Sequence, residues 1–332
     1  MRSSVLVTRA SFPDIVEKLR EHFDVTDNPS DTVWTQQELI TRLQGKRGAV
    51  TAGSDRIDAT LLDACPELKA VCNIGVGYNN VDVDACTARG VLVTNTPDVL
   101  THTTADFGFA LMMAAARRMT ESEHFLRAGD WVTTGRFDMF VGGDVYGATL
   151  GILGMGRIGQ EIAKRASRGF DMDVIYHNRT PLAAAIETEC GARYVEKEVL
   201  LRESDHLILV VPYSASSHHA IGRAELKQMK SSATLTNIAR GGVVDDSALA
   251  EALTEGSIAA AALDVFEGEP RVNPALLACK NVVLTPHIGS ASIRTRRAMA
   301  SLCVDNLIAA MNGGRVLTAV NPQVLTQASA PA

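Results

Sequence analysis

The chain lacks apolar runs longer than a strand, and this excludes a membrane span, which needs about 20 consecutive apolar residues. It also lacks a basic excess. Lys and Arg total 32 against 38 Asp and Glu, a net charge of −6 with the signs interspersed, so there is no electrostatic footprint for nucleic acid. Its six cysteines (65, 72, 86, 190, 279 and 303) show no C-x-x-C spacing. That argues against metal ligation, and their apolar periodic surroundings read as free buried thiols in a reducing cytoplasm. No solenoid-type repeat and no low-complexity segment is present. The opening MRSSVLVTRA is too poor in apolar residues for a secretory signal and reads as a first β-strand.

What is present points to a two-domain α/β protein. The length of 332 residues predicts about two domains, and an apolar fraction of 46% allows a sizeable core in each. The chain is organised around Thr149–Gly159, TLGILGMGRIG. Leu150, Ile152 and Leu153 read as a buried strand, and Arg157–Ser167 as the helix that follows. Between them Gly154, Gly156 and Gly159 supply G-x-G-x-x-G. The first glycine allows a tight turn, the second lets backbone approach a pyrophosphate, and the third lets helix pack on strand. The helix N-terminus offers N–H groups and the positive dipole end to phosphate. Alone, the pattern could be an ordinary glycine-rich turn; preceded by a strand and followed by a helix, it reads as a dinucleotide site.

Strand-like runs alternate with helical patterns from the start: Val5–Thr8, Ala49–Ala52, Ala70–Ile74 and Val91–Asn95, with helices at Asp14–His22 and Gln36–Leu43. This alternation predicts parallel βαβ units, and the segment to about Asp98 forms a small α/β domain of its own. Within it, two glycines follow a strand in Asn73–Tyr78, where a ligand loop or a plain turn would fit. Thr101–Met119 reads as a long apolar helix, buried between domains or subunits. Gly129–Gly147 is irregular and carries Trp131, Phe137, Phe140 and Tyr146, as a substrate lid, a subunit contact or a filler.

After the glycine turn comes the strand Asp173–His177, then Asn178-Arg179-Thr180. An NAD site wants an acid here for the ribose hydroxyl, and a carboxylate would repel a 2′-phosphate that a guanidinium grips. With Asn178 and Arg179 in that place, NADP(H) is the preferred cofactor and NAD(H) a possible one. Later strands at Leu207–Val211, Thr234–Ile238, Ala260–Val265 and Val282–Leu284 end in polar punctuation. Their carboxyl ends deliver Arg240, Asp264, the Glu267/Glu269 pair and His287 to one crevice. His218 and His219 follow a polar loop and read as solvated. Ala291–Met311 reads as a closing amphipathic helix, and the tail beyond Val320 as mobile.

Four ordered motifs then coincide: the spaced glycines, Asn237–Asp245 around Arg240-Gly-Gly, Ala262–Pro270 ending Glu-Gly-Glu-Pro, and Thr285–Ser290 around Pro-His-Ile-Gly. With Gly75–Asp82 and Asn95–Leu100 in the first half, the chain resembles the D-isomer-specific 2-hydroxyacid dehydrogenases, most of all the glyoxylate/hydroxypyruvate reductases and their 2-ketogluconate reductase branch. The resemblance implies a Rossmann cofactor domain (100–287) inserted in a smaller flavodoxin-like substrate domain (1–99 and 288–332), and a cytoplasmic homodimer. It implies that Arg240 binds the substrate carboxylate, that Glu269 partners the acid/base His287, and that Asp264 meets the nicotinamide. Val76 and Gly77 N–H groups would help hold the carboxylate. Cofactor contacts would come from Gly154, Gly156, Arg157, Ile158, Gly159, Asn178, Arg179, Thr180, Val211, Pro212, Ile238, Ala239, Asp264 and Gly289. Two positions depart from the common pattern: Ile238 where many members have Thr, and Asn79 where Asp is usual.

The residue types suit that chemistry on their own terms. Reduction of a 2-keto acid needs a proton for the nascent alkoxide, which a histidine gives near neutrality, and a carboxylate beside it favours the imidazolium. An anionic substrate needs a fixed cation, and Arg grips carboxylates bidentately. The aromatics of Trp131–Tyr146 are expected to wall the space around C3, favouring glyoxylate and hydroxypyruvate over branched keto acids. Two alternatives stay open: a 2-ketogluconate reductase, and a non-catalytic dinucleotide-sensing corepressor-like protein. Corepressor relatives carry long extra termini, and the chain shows little beyond the fold.

Overall fold

The computed structural model describes residues 2–327. Short runs of Val, Ile, Leu and Ala, apolar on both faces, form parallel strands covered by helices, as a buried parallel sheet requires. They make two units, one reaching Leu100 and resuming at Ser292, the other spanning Thr101–Ala291.

The first unit has a five-stranded sheet of β1 (Ser4–Val7), β2 (Asp24–Thr26), β3 (Gly48–Thr51), β4 (Ala70–Asn73) and β5 (Leu92–Thr94), in the order β2-β1-β3-β4-β5. All its pairings are parallel, the flavodoxin-like doubly wound order. Strand β2 is three residues long and half polar, too brief to give a sequence signal. The helix Ile293–Asn312 packs on β3, β4 and the helix Pro13–His22, burying Met299, Cys303, Val304 and Leu307. The start of the tail is not loose. Asn321 is buried: its Oδ1 accepts the Val93 N–H at 2.7 Å, and its amide donates to the Val91 carbonyl at 2.9 Å. A short helix, Gln323–Gln327, follows; the rest of the tail read as mobile lies outside the described residues.

The second unit has a seven-stranded parallel sheet: β6 (Thr149–Leu153), β7 (Asp173–His177), β8 (Ala192–Tyr194), β9 (His206–Leu209), β10 (Thr234–Asn237), β11 (Ala260–Leu263) and β12 (Val282–Leu284). Their order, β12-β11-β10-β9-β6-β7-β8, reverses direction between β6 and β9, the switch point where doubly wound sheets bind dinucleotides. The stretch read as one helix from Thr101 to Met119 is two, Thr101–Ala116 and Met119–Arg127, broken at Arg118 with φ +51°. The first packs within its own unit against the helix Arg157–Phe170 and strands β10 and β11. Its Gly108 permits this approach: a Cβ there would lie 2.5 Å from Ile238 Cδ1.

Candidate active site

The glycine loop is built where the sequence puts it. The Gly154 φ of +104° is open to glycine alone, and a Cβ there would lie 2.8 Å from the backbone of Val210 and Val211. At Gly156, N-cap of the helix Arg157–Phe170, a Cβ would point into open space. A bare backbone at the head of a fourteen-residue helix fits a pyrophosphate. Asn178 does not stand free beside the ribose site: its Oδ1 accepts the Met155 N–H at 2.7 Å and braces the loop. Arg179 and Thr180 are exposed, and Arg179 has no partner among the described residues. Ile158, Val211 and Pro212 line the same strand ends, half-buried to exposed. The Ile238 side chain turns into the core against Gly108 and Ile162, so only its backbone can face a cofactor. Ala239 is buried, its N–H held by Asn237 Oδ1 at 3.0 Å.

At the far strand ends three side chains converge. His287 Nδ1 lies 2.8 Å from Glu269 Oε2, and Glu269 Oε1 accepts the Phe266 N–H at 2.9 Å. Burial pushes the Glu269 carboxyl up. The His287 hydrogen bond, the Phe266 N–H and the charges of His287 and Arg240 outweigh it, so the group ionises below the usual carboxylate range. Burial lowers the Arg240 guanidinium and Glu269 partly restores it; an arginine stays charged at any working pH. Arg240 Nη1 donates to the Ala239 carbonyl at 2.6 Å. Close packing joins the two loops: a Cβ on Gly241 would lie 1.7 Å from the Phe266 carbonyl oxygen. That contact has no local sequence signal beyond the glycine itself.

The strand ends deliver two acids, and the resemblance names Glu269 as the partner of the histidine. Glu269 lies against His287; Glu267 instead pairs with His219, 3.2 Å from its Nε2. So His218 and His219 are not merely solvated, but stack at 3.9 Å within a small polar cluster.

His287 adopts φ +54°, a left-handed backbone that costs a non-glycine residue of order 1–3 kcal/mol. Asp264 holds it there. This carboxylate, 2% exposed, accepts the Thr285 hydroxyl at 2.7 Å and the N–H groups of Ile288 and Gly289, both at 2.8 Å. Its backbone carbonyl takes the His287 N–H at 2.9 Å. The same bonds keep Ile288–Ala291 with the second unit. Thr285 was not singled out from the sequence; its place two residues before His287 was the available hint.

In the first unit, Val76 and Gly77 follow β4. Asn95 Nδ2 donates to the Val76 carbonyl at 2.9 Å and Asn73 Nδ2 to the Gly77 carbonyl at 3.1 Å. With both carbonyls fixed, the loop can offer its N–H groups to an anion.

The end of the aromatic stretch Trp131–Tyr146 is anchored away from these strand ends. Its Asp144 carbonyl meets His206 Nε2 at 3.0 Å, at the start of β9, and the Tyr146 hydroxyl lies 3.3 Å from Asp171, just before β7. Those anchors sit at the amino edge of the sheet, opposite Arg240 and His287. Periodicity could not reveal which edge a coil segment visits.

Residues 109–289 match the family model described as D-isomer specific 2-hydroxyacid dehydrogenase, NAD binding domain. A glyoxylate reductase of Thermococcus gammatolerans is 48% identical over 328 residues, 98% of each chain. Glyoxylate/hydroxypyruvate reductase B of Yersinia pestis is 45% identical over 326 residues, 98% of this chain and 99% of that one. Among solved structures, the NADPH-dependent glyoxylate/hydroxypyruvate reductase of Sinorhizobium meliloti, in complex with NADP and malonate, superposes with a TM-score of 0.85 at 38% identity, covering 96% of this chain and 97% of that one. Two parallel doubly wound sheets, a glycine loop at the switch point and full-length similarity to these oxidoreductases agree, and the chain belongs to the D-isomer-specific 2-hydroxyacid dehydrogenase family of nicotinamide-dependent enzymes.

Proposed function

We propose that this enzyme reduces small 2-keto acids, glyoxylate and hydroxypyruvate foremost, to glycolate and D-glycerate, and prefers NADPH to NADH. The observation that carries the reading is the 2.8 Å pairing of His287 Nδ1 with Glu269 at the strand ends that also present Arg240. Similarity to reductases named for these substrates supports it.

Glu269, ionised, fixes the tautomer: Nδ1–H points at the carboxylate, so the transferable proton of the imidazolium sits on Nε2. His287 then delivers that proton to the carbonyl oxygen as it becomes an alkoxide. Arg240 grips the substrate carboxylate; in the first unit, the Val76 and Gly77 N–H groups are available to an anion. The nicotinamide, when bound, supplies the hydride. The Gly154–Gly159 loop with Arg157 and Ile158 would hold the pyrophosphate, and Arg179 beside Thr180 would bind a 2′-phosphate. Asp264 and Gly289 would serve the nicotinamide end.

The enzyme is proposed to be a homodimer. The segment from Met119 to Tyr146 exposes Met119, Leu126, Trp131, Val132, Phe137 and Val141, apolar side chains that a partner subunit would cover. Its six cysteines are free, five of them buried, which fits a cytoplasmic location.

A kcat/KM panel over glyoxylate, hydroxypyruvate, pyruvate and 2-ketogluconate with both cofactors tests the proposal. It expects glyoxylate and hydroxypyruvate to lead with NADPH. Turnover of none of the four would revive a sensing role, and 2-ketogluconate in the lead would reassign the substrate.

A further inference from the structure

Outside the proposed catalytic residues, one side-chain cluster has the composition and geometry of a metal site. His218, His219 and Glu267 each offer a ligand atom, and these atoms lie within 4.8 Å of one another. They come from two segments at the carboxyl edge of the second unit's sheet, the loop after β9 and the turn after β11. The His219 Nε2 is 3.2 Å from Glu267 Oε2, and the two imidazoles stack with centroids 3.9 Å apart.

We propose that His218, His219 and Glu267 bind a divalent transition-metal cation of the zinc class. The outer partners of both rings carry the argument. His218 Nδ1 is engaged by the Tyr213 hydroxyl at 3.1 Å, which leaves Nε2 for a metal. His219 Nδ1 faces Asp245 Oδ2 at 4.0 Å, while its Nε2 faces Glu267. Metal-binding histidines characteristically have their second ring nitrogen held by a carboxylate or hydroxyl, as Tyr213 holds His218; Asp245, 4.0 Å from His219, would have to close in to do the same. Asp245 is itself fixed, because its Oδ1 caps the helix Asp246–Glu255 through the Ser247 and Ala248 N–H groups, each at 3.0 Å.

The backbone agrees. His219 holds φ +48°, uncommon for a residue other than glycine, with its N–H bonded to the Gly242 carbonyl at 2.7 Å. Glu267 is fixed by its own N–H, which donates to Asp246 Oδ2 at 3.1 Å. Two imidazoles and one carboxylate suit zinc, and partial exposure of all three leaves a fourth position for water. Ligand bonds of about 2.0–2.2 Å require the three side chains to draw together and one of the stacked imidazoles to turn so that both ring planes meet at the ion. The cluster shares no side chain with the Glu269–His287 pair, so the proposal stands whether or not the proposed reduction is correct.

The test uses untagged, metal-stripped full-length protein. Zn²⁺ affinity is measured by competition with a chromophoric chelator, and geometry by the d–d absorption of added Co²⁺. The expected result is one equivalent bound, tetrahedral Co²⁺ bands and a Tm raised by Zn²⁺, since a ligand specific to the native state stabilises it. His219→Asn, chosen because Asn tolerates the left-handed backbone, and Glu267→Gln should each weaken binding at least tenfold and abolish the Tm rise. Tyr213→Phe, which touches no metal, should weaken it by roughly 10-fold or more. Failure of the wild type to bind overturns the proposal, as does binding that survives both ligand variants. Binding lost in Cys279→Ser alone would assign the metal to that thiol and equally refute it.

Discussion

Asp264→Asn separates holding the histidine loop from touching a cofactor. The native carboxylate accepts three hydrogen bonds of 2.7–2.8 Å in a site 2% exposed. Asparagine keeps one acceptor for Thr285 and Ile288 but turns an amide toward the Gly289 N–H, which leaves two donors facing each other. One charge-assisted bond is lost and a buried donor stays unpaired, together worth about 2 kcal/mol or more. For a unit of this size that lowers Tm by about 4–8 °C. The anchor also keeps His287 at φ +54°, so relaxation of the loop misplaces the imidazole and lowers kcat even at saturating cofactor. Thermal melts without ligands, paired with kcat at saturating NADPH and glyoxylate, read both effects. A variant with native Tm and native kcat, but a raised KM for NADPH, would show that Asp264 serves only the nicotinamide and refute the anchoring argument.

Other expectations follow from the same geometry. Arg179→Ala should reduce the NADPH/NADH ratio of kcat/KM by roughly one to two decades, the worth of a charge-assisted bond of about 1.5–3 kcal/mol, and leave NADH use nearly intact. Glu269→Gln should lower kcat of reduction, since the carboxylate that orients the His287 ring through Nδ1 is gone; steady-state rates at saturating substrate read this. Because Glu269 ionises below its ordinary value, the stability it contributes is present above about pH 4.5 and lost as pH falls through its lowered native value; acid unfolding of the Gln variant should lack that component. Gly241→Ala should destabilise by at least about 2 kcal/mol and depress kcat, because its Cβ would meet the Phe266 carbonyl at 1.7 Å and Phe266 holds Glu269; denaturant melts and kcat together read this.

Much of the site was legible because it is carried by strand ends. A glycine turn, Arg240 after β10, Asp264 after β11 and His287 after β12 each follow a short apolar run, and a parallel sheet brings such ends together. What was illegible depended on tertiary neighbours. The motif names Glu269 as the partner of His287, but nothing in it places Glu267 against His219; the course of the turn does. Asn178 sits where a ribose ligand is expected, yet its carbonyl braces Met155. The break at Arg118 interrupts a run whose apolar periodicity continues through it, so pattern alone extends the helix. The Trp131–Tyr146 stretch has no periodicity, and its anchoring at the amino edge of the sheet rests on Asp144 and Tyr146 meeting residues distant in sequence. Asn321 looked like part of a polar tail, but three side-chain hydrogen bonds tie it to Thr87, Val91 and Val93.

The central claim is that His287 donates the proton in reduction of a small 2-keto acid. Its most direct test is the single-turnover rate of NADPH oxidation with saturating glyoxylate, compared between the wild type and His287→Ala, with cofactor affinity measured alongside. The account predicts a fall of roughly 10²–10⁴-fold in the variant, the usual worth of a positioned proton donor, with NADPH binding preserved. A His287→Ala enzyme that binds NADPH and reduces glyoxylate at the wild-type rate would contradict it.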